Sequence, residues 1–489
     1  LLTAGLLLPA CTLTNQAFTH EELKLQAVSD RAAMFQDVPQ LEGPLTISDA
    51  IERVLLYNLD ARHKMLKEAL ALGQLDLDKW DLLPQLVVKA GYQKRSKPDA
   101  STSRDAVTGT KTTAYTYSKD LKSWTADLSV TWNVLDFGVS YFNARQNADR
   151  VLVARERRRK AVHNLVRETQ VAFWRAAAAQ ALKGRVRRGI ADAERALRNI
   201  RRSAETGNRN PIEALRLRKT LLETLRQLEF LDQELATAQT QLAALVQVPP
   251  GTKIRIALPK GKRIALPRFD MPLTEMEELA FLNNPDILEQ GYESRIAAQA
   301  THKAVLRTLP GIELSVSLNR DRNSFLYQNR WWEHGALLTG VISNVLNAPA
   351  RIGYAKASKK VAEAKRLAIR MAVLAQVHVA KLQFENARKQ FLRANELWSV
   401  ERDLERRNLG RYKSGGFSRT DLIVSRTSAI IADLRRYQTY ADLQAALARI
   451  KATIGQDEAY LPKPGTEIKP EKNAGLSRAG STSKDGGMA

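Results

Sequence analysis

The sequence predicts an α+β membrane protein in which four short amphipathic strands adjoin unusually long helices. Three observations support this class. Apolar and polar residues alternate with period two in four segments of about ten residues. Apolar residues recur about every 3.5 positions over segments several times longer than a usual globular helix. The whole arrangement also occurs twice in the 489-residue chain.

The duplication relates residues 45–248 to residues 273–457. Five features recur in the same order in both copies. They are the openings Leu45–Ile51 and Leu273–Glu277, the segments Asn58–Asp60 and Asn283–Asp286, the Leu-Pro pairs 83–84 and 309–310, the Asn-Val-Leu segments 133–135 and 344–346, and the pairs Gly207/Glu213 and Gly415/Asp421. A repeat of roughly 200 residues is too long for a solenoid unit. Each copy is therefore interpreted as a helix, a strand hairpin and two further helices.

Alternation is clearest from Trp124 to Val134, where even positions are apolar and odd positions are polar. Successive side chains of a strand point to opposite faces, so this period predicts a strand at about 124–135. Similar patterns predict strands at about 85–93 and 311–319, and a more evenly apolar segment predicts one at about 335–346. Each segment alone also fits a soluble β-sandwich. Four such strands with aromatic ends, set among very long helices, favour the wall of a membrane β-barrel.

Four strands are too few to close a conducting barrel, and open sheet edges are not tolerated in lipid. Other copies of the chain must therefore complete the sheet. The sequence predicts an obligate homo-oligomer whose subunits share one barrel.

The first long helix is predicted from Tyr141 to Glu205, a segment without proline. At about 1.5 Å per residue it would extend roughly 100 Å. Its apolar residues follow the period of coiled-coil packing, and many of them are alanine, so neighbouring helices can lie close together. The expectation is that these helices stand in water, because none contains the run of about 18 unbroken apolar residues that a spanning helix needs.

The start of the chain resembles the end of a bacterial lipoprotein signal. Leu6-Leu7-Leu8-Pro9-Ala10 precedes Cys11, the only cysteine in the sequence. One cysteine excludes a disulfide framework and a cysteine-based metal cluster. Cys11 is therefore a candidate lipidation site, and a buried structural cysteine is the alternative.

The formal net charge of +24 is concentrated in one part of the chain. Residues 140–210 hold 18 Lys/Arg against 6 Asp/Glu, a surplus of 12. The densest runs are 155–160 and 185–188. They fit a solvated helix face, a cationic tunnel that favours anionic cargo, or a basic collar near an anionic lipid surface.

Motifs for chemistry are missing from the sequence. It has no phosphate-binding GxxxxGK[ST] loop, HExxH, GxSxG or dinucleotide fingerprint, and its six histidines lack ligand spacing. The sequence predicts no enzyme, no cofactor and no metal site.

The chain resembles the TolC family of outer-membrane efflux and secretion channels. The resemblance combines the signal remnant, the duplicated halves, the paired strands and the long helices. The local markers are Trp132–Gly138, similar to the family's strand-to-helix exit, the Leu45–Asp60 opening, and the helix turns Gly207–Glu213 and Gly415–Asp421. The resemblance covers nearly all of residues 45–456.

This resemblance implies a homotrimeric 12-stranded β-barrel in the outer membrane, lipid-anchored and continued by an antiparallel coiled-coil tunnel through the periplasm. It implies that the protein is the exit channel of a tripartite efflux or type I secretion system. The implied partners are a periplasmic adaptor, an inner-membrane pump of RND or ABC type and outer-membrane lipid. Nucleic acid is not an implied partner.

The resemblance also assigns residues to the periplasmic tip. The gate residues are Glu213, Tyr412, Phe417 and Asp421, and the tip turns contain Gly207, Gly415 and Gly416. Phe417 stands where the best-known pattern has arginine, and Val424 where it has aspartate. The ionic latch is therefore incomplete, and apolar packing or nearby basic residues would contribute to closure. The alternative for all these residues is ordinary turn chemistry.

The predicted organisation has six parts. They are a signal remnant at 1–11, an N-terminal arm at 12–44, the first repeat at 45–248, a linker at 249–272, the second repeat at 273–457 and a disordered tail at 458–489.

The competing functional class is a basic coiled-coil protein that binds nucleic acid or another anionic polymer. The arginine-rich helices and the pI near 10.0 would fit this class.

Overall fold

The computed structural model describes residues 17–205, 210–258 and 265–456. The helices are α1 His20–Ala33, α2 Ile47–Tyr57, α3 Leu59–Trp80, α4 Val134–Glu205, α5 Pro211–Leu245, α6 Leu273–Asn283, α7 Pro285–Leu306, α8 Ile342–Leu346, α9 Ala348–Lys413 and α10 Arg419–Thr453. The strands are β1 Gln85–Lys94, β2 Ala100–Ser101, β3 Thr116–Tyr117, β4 Lys122–Asn133, β5 Gly311–Asp321 and β6 Arg330–Thr339. Cys11, Gly207 and the predicted tail lie outside the described residues.

One antiparallel sheet has the order β1-β4-β5-β6. Its centre joins the two halves of the chain, because β4 of the first half pairs with β5 of the second, with Leu128 opposite Leu318. The outer strands β1 and β6 each have one edge without a partner in the described part of the chain. A second, two-stranded sheet of β2 and β3 lies in the loop between β1 and β4. This hairpin was not predicted from the sequence.

The predicted fourth strand, at about 335–346, is wrong in position. The strand is Arg330–Thr339, and Ile342–Leu346 forms the short helix α8. Ile342, Val345 and Leu346 have helical spacing, and a short apolar run fits a strand or a helix equally well. The tryptophans at 331 and 332 also disrupt the alternation that would have marked the true start of the strand.

The strand predicted at 124–135 ends two residues early, at Asn133, for a local reason. The Asn133 side-chain oxygen accepts hydrogen bonds from the backbone amides of Leu135 and Asp136, at 3.0 and 3.1 Å. Asn133 thus caps the first turn of α4 and changes the backbone from strand to helix at that point.

The helix α4 has 72 residues and α9 has 66, so the two extend about 108 and 99 Å at 1.5 Å per residue. Along its length α4 packs against α3, α5, α7 and α10. The alanines 176–179 are buried in these contacts, as are larger side chains such as Phe173, Leu228 and Leu443. Alanine lets the helices approach closely, and the larger side chains fill the spaces between the alanines.

Two asparagines join helix starts to helix ends in the same way in each half. The Asn58 oxygen caps α3, and its amide nitrogen donates to the carbonyl of Leu245 at 3.2 Å. The Asn284 oxygen caps α7, and its amide nitrogen donates to the carbonyl of Thr453 at 2.8 Å. Both asparagines are buried, so each satisfies backbone groups at the start of one helix and the end of another.

Among the helices of the described ranges, α9 is the one that is long enough, and in one 18-residue window apolar enough, to cross a membrane by length and composition; only 22% of that window is buried. Arg370 and Lys381 leave no unbroken apolar run of that length between them. Exposed apolar side chains in this region include Leu367, Met371 and Leu382. They form an apolar surface beside the helix contacts made within the chain.

Candidate channel wall and helix tips

The four-stranded sheet has one apolar and one polar face. The register aligns Val88, Leu128, Leu318 and Trp332 in one row across the four strands. Side chains of this apolar face are exposed, as at Val88 (72%) and Trp332 (66%). An apolar patch that covers a whole sheet face is normally occupied by a partner or by lipid.

The opposite face carries hydroxyl, amide and carboxylate groups. Asp127, Glu313 and Glu333 all have odd positions on this side of the register. The Asn319 amide donates to the Ser317 hydroxyl at 2.9 Å and to a Glu333 carboxylate oxygen at 3.2 Å. This polar face is suited to water, which is the arrangement of a barrel wall around an aqueous pore.

Hydrogen bonds join the two loops at the end of the sheet away from the helices. The Ser324 amide and hydroxyl donate to Asp120, at 2.6 and 2.8 Å, and these bonds lower the pKa of that carboxyl. The Asn323 side chain donates to the carbonyl of Ser118 and accepts from the amide of Asp120. The loop of the first half is thus fixed to the loop of the second.

The dense basic runs of α4 pair with carboxylates of neighbouring helices. The pairs include Arg157 with Glu289 (2.7 Å), Arg158 with Glu68 (2.8 Å), Lys160 with Asp286 (2.6 Å), and Arg185 with Asp433 (2.8 Å) and Glu405 (3.4 Å). Arg155 lies 21 residues into α4, about 32 Å from the sheet at 1.5 Å per residue. The runs therefore lie well away from the sheet, and their pairing leaves fewer cations for a nucleic-acid partner.

The Arg185–Asp433 pair belongs to a half-buried cluster that joins α4, α9 and α10. Arg436 lies 4.0 Å from the Trp398 ring centroid and donates to the Asn395 side chain. Burial raises the pKa of Asp433, while Arg185 and Arg436 oppose the rise. Burial also lowers the pKa of Arg436. The cluster fixes the three helices in register through charge and hydrogen bonding.

The turn between α9 and α10 is built by glycine. Gly415 has φ +79°, a region that favours glycine, and its amide donates to the carbonyl of Tyr412 at 3.1 Å. The Gly416 amide donates to the carbonyl of Arg411 at 2.9 Å. These two bonds satisfy the last carbonyls of α9 as in a Schellman motif. Of the two predicted turns, this one is described, and the turn at Gly207 falls outside the described residues.

The four predicted gate residues have different surroundings. Asp421 accepts a 2.7 Å hydrogen bond from the Ser418 hydroxyl, which caps α10 through the Asp421 amide. Phe417 lies under the Arg411 guanidinium at 5.3 Å from the ring centroid. Tyr412 is 38% exposed, and Glu213 is exposed in the first turn of α5. Within one chain, Ser418 caps α10, and Asp421 is the third residue of that helix, whose carboxylate binds the capping hydroxyl. This local role was not predicted, although Ser-x-x-Asp is a capping pattern.

No group of three or more His, Cys, Asp or Glu side chains is placed to hold a metal ion in the described ranges. The geometry shows two faces of a wall, long packed helices and a tight turn at their far end. Such an arrangement can separate water from lipid and guide solutes.

Comparison with known proteins gives a consistent result. The profile of the outer membrane efflux protein family matches residues 50–246, about two fifths of the chain. No curated protein sequence gives a significant match.

Solved structures share the fold over most of the chain. The Campylobacter jejuni CmeC outer membrane channel is 14% identical, with 84% of this chain and 85% of that chain covered and a TM-score of 0.65. The outer-membrane channel OprN is 17% identical, with 84% and 89% covered and a TM-score of 0.63. The open-state Neisseria gonorrhoeae MtrE channel is 18% identical, with 82% and 88% covered and a TM-score of 0.61.

The family is one of channels and not of enzymes. The family profile covers the first half of the chain, and the shared fold extends through the second half as well. Residues 50–246 are therefore similar to the outer membrane efflux protein family, and the chain shares its fold with solved outer-membrane channels over most of its length.

Proposed function

We propose that three copies of the chain form one 12-stranded barrel, which a helical tunnel continues into the periplasm. The observation that carries the proposal is the sheet β1-β4-β5-β6, which has an apolar face and, in the described part of one chain, two unpaired edges. Lipid tolerates strands only in closed sheets, so β6 of one copy must pair with β1 of the next. The exposed apolar residues of α9 support contact between subunits below the sheet.

We also propose that the chain contains two repeats, 45–248 and 273–457, joined by a linker at 249–272. The matching roles of Asn58 and Asn284 support this division, because each caps the second helix of its half and binds the end of the last. Part of the linker is fixed to α4, where the Gln180 side chain accepts from the Ile256 amide at 2.7 Å and donates to its carbonyl at 2.9 Å.

The assembly is tested by measuring the mass of the purified protein in detergent. A homotrimer that resists dissociation is the expected result. A stable folded monomer would refute the shared barrel, because the two sheet edges would then have to remain open in the membrane.

The proposed role is the exit channel of a tripartite efflux or type I secretion system. The family supports efflux, and the polar sheet face supports an aqueous path. The energy would come from an inner-membrane pump of RND or ABC type, joined through a periplasmic adaptor. Co-purification of the chain with an adaptor and a pump from crosslinked cells would test this role, and crosslinks to neither would count against it.

The tip residues are proposed to close the tunnel. In a trimer, three copies of the α9–α10 turn would meet around one axis, where Asp421 faces basic groups of neighbouring subunits such as Arg411, Lys413 and Arg419. Asp421→Ala together with Tyr412→Phe is expected to raise single-channel conductance in planar bilayers without changing trimer yield. Exposed ion pairs contribute only about 0.2–1 kcal/mol each, but threefold symmetry repeats every pair. Phe417 would provide the apolar part of the closure.

Asp421→Asn separates charge from capping, because the amide can still accept the Ser418 hydrogen bond. If conductance rises in both Asp421→Ala and Asp421→Asn, the effect is due to the lost charge. If it rises only in Asp421→Ala, the effect is due to the lost hydrogen bond in the turn. Glu229→Ala is a matched control, since this exposed carboxylate lies on α5 away from the turn. Wild-type conductance in both Asp421 variants would leave these residues with a purely structural role.

Cys11 is proposed as the site of a lipid anchor beside the barrel. Incorporation of labelled fatty acid into the wild type but not into Cys11→Ser would support acylation, and equal incorporation would contradict it.

A further inference from the structure

The apolar face of the sheet ends in a row of cations at the loop end. The register places one on each strand, on the same face as the apolar residues. They are Lys94, Lys122, Arg320 and Arg330, of which Lys94 is opposite Lys122 and Arg320 is opposite Arg330. The two pairs are staggered, because Arg320 lies opposite Ala126, two rows nearer the centre of the sheet than Lys122. Arg322 continues the row just beyond β5, where its amide donates to the carbonyl of Trp124 at 2.9 Å.

These cations are separated from the acidic residues of the sheet. All five side chains are exposed, and none has a hydrogen-bond or ion-pair partner in the described part of the chain. The carboxylates of the four strands, at Asp127, Glu313, Asp321 and Glu333, lie at odd positions on the opposite face. The apolar face therefore carries positive charge at one end and no negative charge anywhere along its length.

The cations also have a defined depth. Tyr92 and Trp124 lie opposite each other with ring centroids 4.7 Å apart, one row nearer the centre of the sheet than Lys94 and Lys122. Trp332 lies one row nearer the centre than Arg330. Consecutive residues on one face of a strand are about 7 Å apart. Since Trp and Tyr mark the boundary between hydrocarbon and headgroups, each pair of cations lies on the headgroup side of the aromatic residues of its own strands.

We propose that this row binds the phosphate groups of anionic lipid in the leaflet at the loop end of the barrel. The inference rests on the proposed function, which turns the apolar face towards lipid. Charge complementarity favours phosphate, because the row has no carboxylate to pair with and guanidinium groups bind phosphate oxygens in a bidentate manner. A closed trimer would place Arg330 of one subunit near Lys94 of the next and extend the row around the barrel.

The occupant is a phosphorylated glycolipid or phospholipid and not a peptide. A lipid acyl chain would lie against the apolar rows below the cations, and its headgroup would reach them from the same side. A soluble anion would gain nothing from those rows, so the combination of an apolar surface with cations at its end is specific for an amphiphile.

The test uses the intact trimer in detergent and a fluorescent lipid A, which carries two phosphates. The variant Lys94→Gln/Lys122→Gln/Arg320→Gln/Arg330→Gln is expected to bind this probe up to about a thousandfold more weakly than the wild type, since each removed cation near a lipid headgroup contributes about 1 kcal/mol. The wild type should also bind lipid A with one phosphate more weakly than lipid A with two phosphates. The matched control is Lys97→Gln/Arg104→Gln/Lys111→Gln/Lys119→Gln, which removes the same charge from the exposed loop between β1 and β4 and should bind as the wild type does.

Equal binding by the wild type and the strand variant would overturn the proposal, as would an equal loss in the loop control. Displacement of the probe by millimolar inorganic phosphate would also overturn it, since the site would then recognise free phosphate. Trimer mass and conductance are measured for every variant. Unchanged values accompanied by lost lipid binding support the proposal, whereas a wild type that forms no trimer would refute the proposed function itself.

Discussion

Gly455→Ala is expected to destabilise the helical part of the protein by about 2–6 kcal/mol. Gly455 follows α10 with φ +67°, where a side chain costs about 1–3 kcal/mol. A Cβ atom there would lie 2.2 Å from the carbonyl oxygen of Asn283, and a backbone overlap of this kind costs about 1–3 kcal/mol more. The Arg159 guanidinium donates to the carbonyls of both residues, at 3.2 and 3.4 Å, so neither can move away freely.

The matched control is Gly251→Ala. Gly251 also has positive φ, +94°, but a Cβ atom there would meet nothing within 4 Å. Its substitution introduces the backbone strain without the overlap and should cost only about 1–3 kcal/mol. Thermal unfolding of both variants, followed by circular dichroism in detergent, measures the difference. Equal melting temperatures would show that the junction of α6 and α10 adapts to the added methyl group.

Leu128→Arg is expected to prevent stable insertion of the barrel. Leu128 lies in the middle of β4 on the apolar face and is 43% exposed in the single chain. An arginine that faces lipid at the midplane costs about 2–4 kcal/mol, and a trimer would contain three copies. The measurement is the fraction of trimer formed when denatured protein is refolded into lipid vesicles.

Thr125→Arg introduces the same side chain on the polar face of the same strand. Thr125 is exposed and lies opposite Gly91 in β1, where space is available beside the strand. Its arginine would point into water, so trimer yield should remain close to that of the wild type. Normal yield with Leu128→Arg, or an equal loss with Thr125→Arg, would contradict the assignment of the two faces.

Elements with a strong local pattern could be predicted from the sequence. The alternation around Trp124–Val134 depends only on which face of a strand each side chain occupies, and β4 was found there. The period of the long helices depends on packing that repeats along the chain, and α4 and α9 follow it. The fourth strand had no such pattern, so its predicted position was displaced towards the helical residues of α8.

The candidate tip was predicted only in part. The glycine pair and the carboxylates that follow each turn are local features, and Gly415 has the positive φ that its turn requires. The contact between Arg411 and Phe417 depends on how the chain folds back after α9, which no spacing rule gives. The Ser418–Asp421 bond could have been predicted, because a capping pair is visible in the sequence.

The sequence by itself determined the kinds of element and the apolar and polar faces of the strands. These properties follow from periodicities within short windows. Only the tertiary structure decided that β4 pairs with β5, that the arginines of α4 pair with carboxylates of other helices, and that Asn58 and Asn284 reach the ends of α5 and α10. The physical reason is that these partners lie far apart along the chain. A side chain's charge or hydrogen-bonding capacity can be read from the sequence, but the group that satisfies it is chosen by packing.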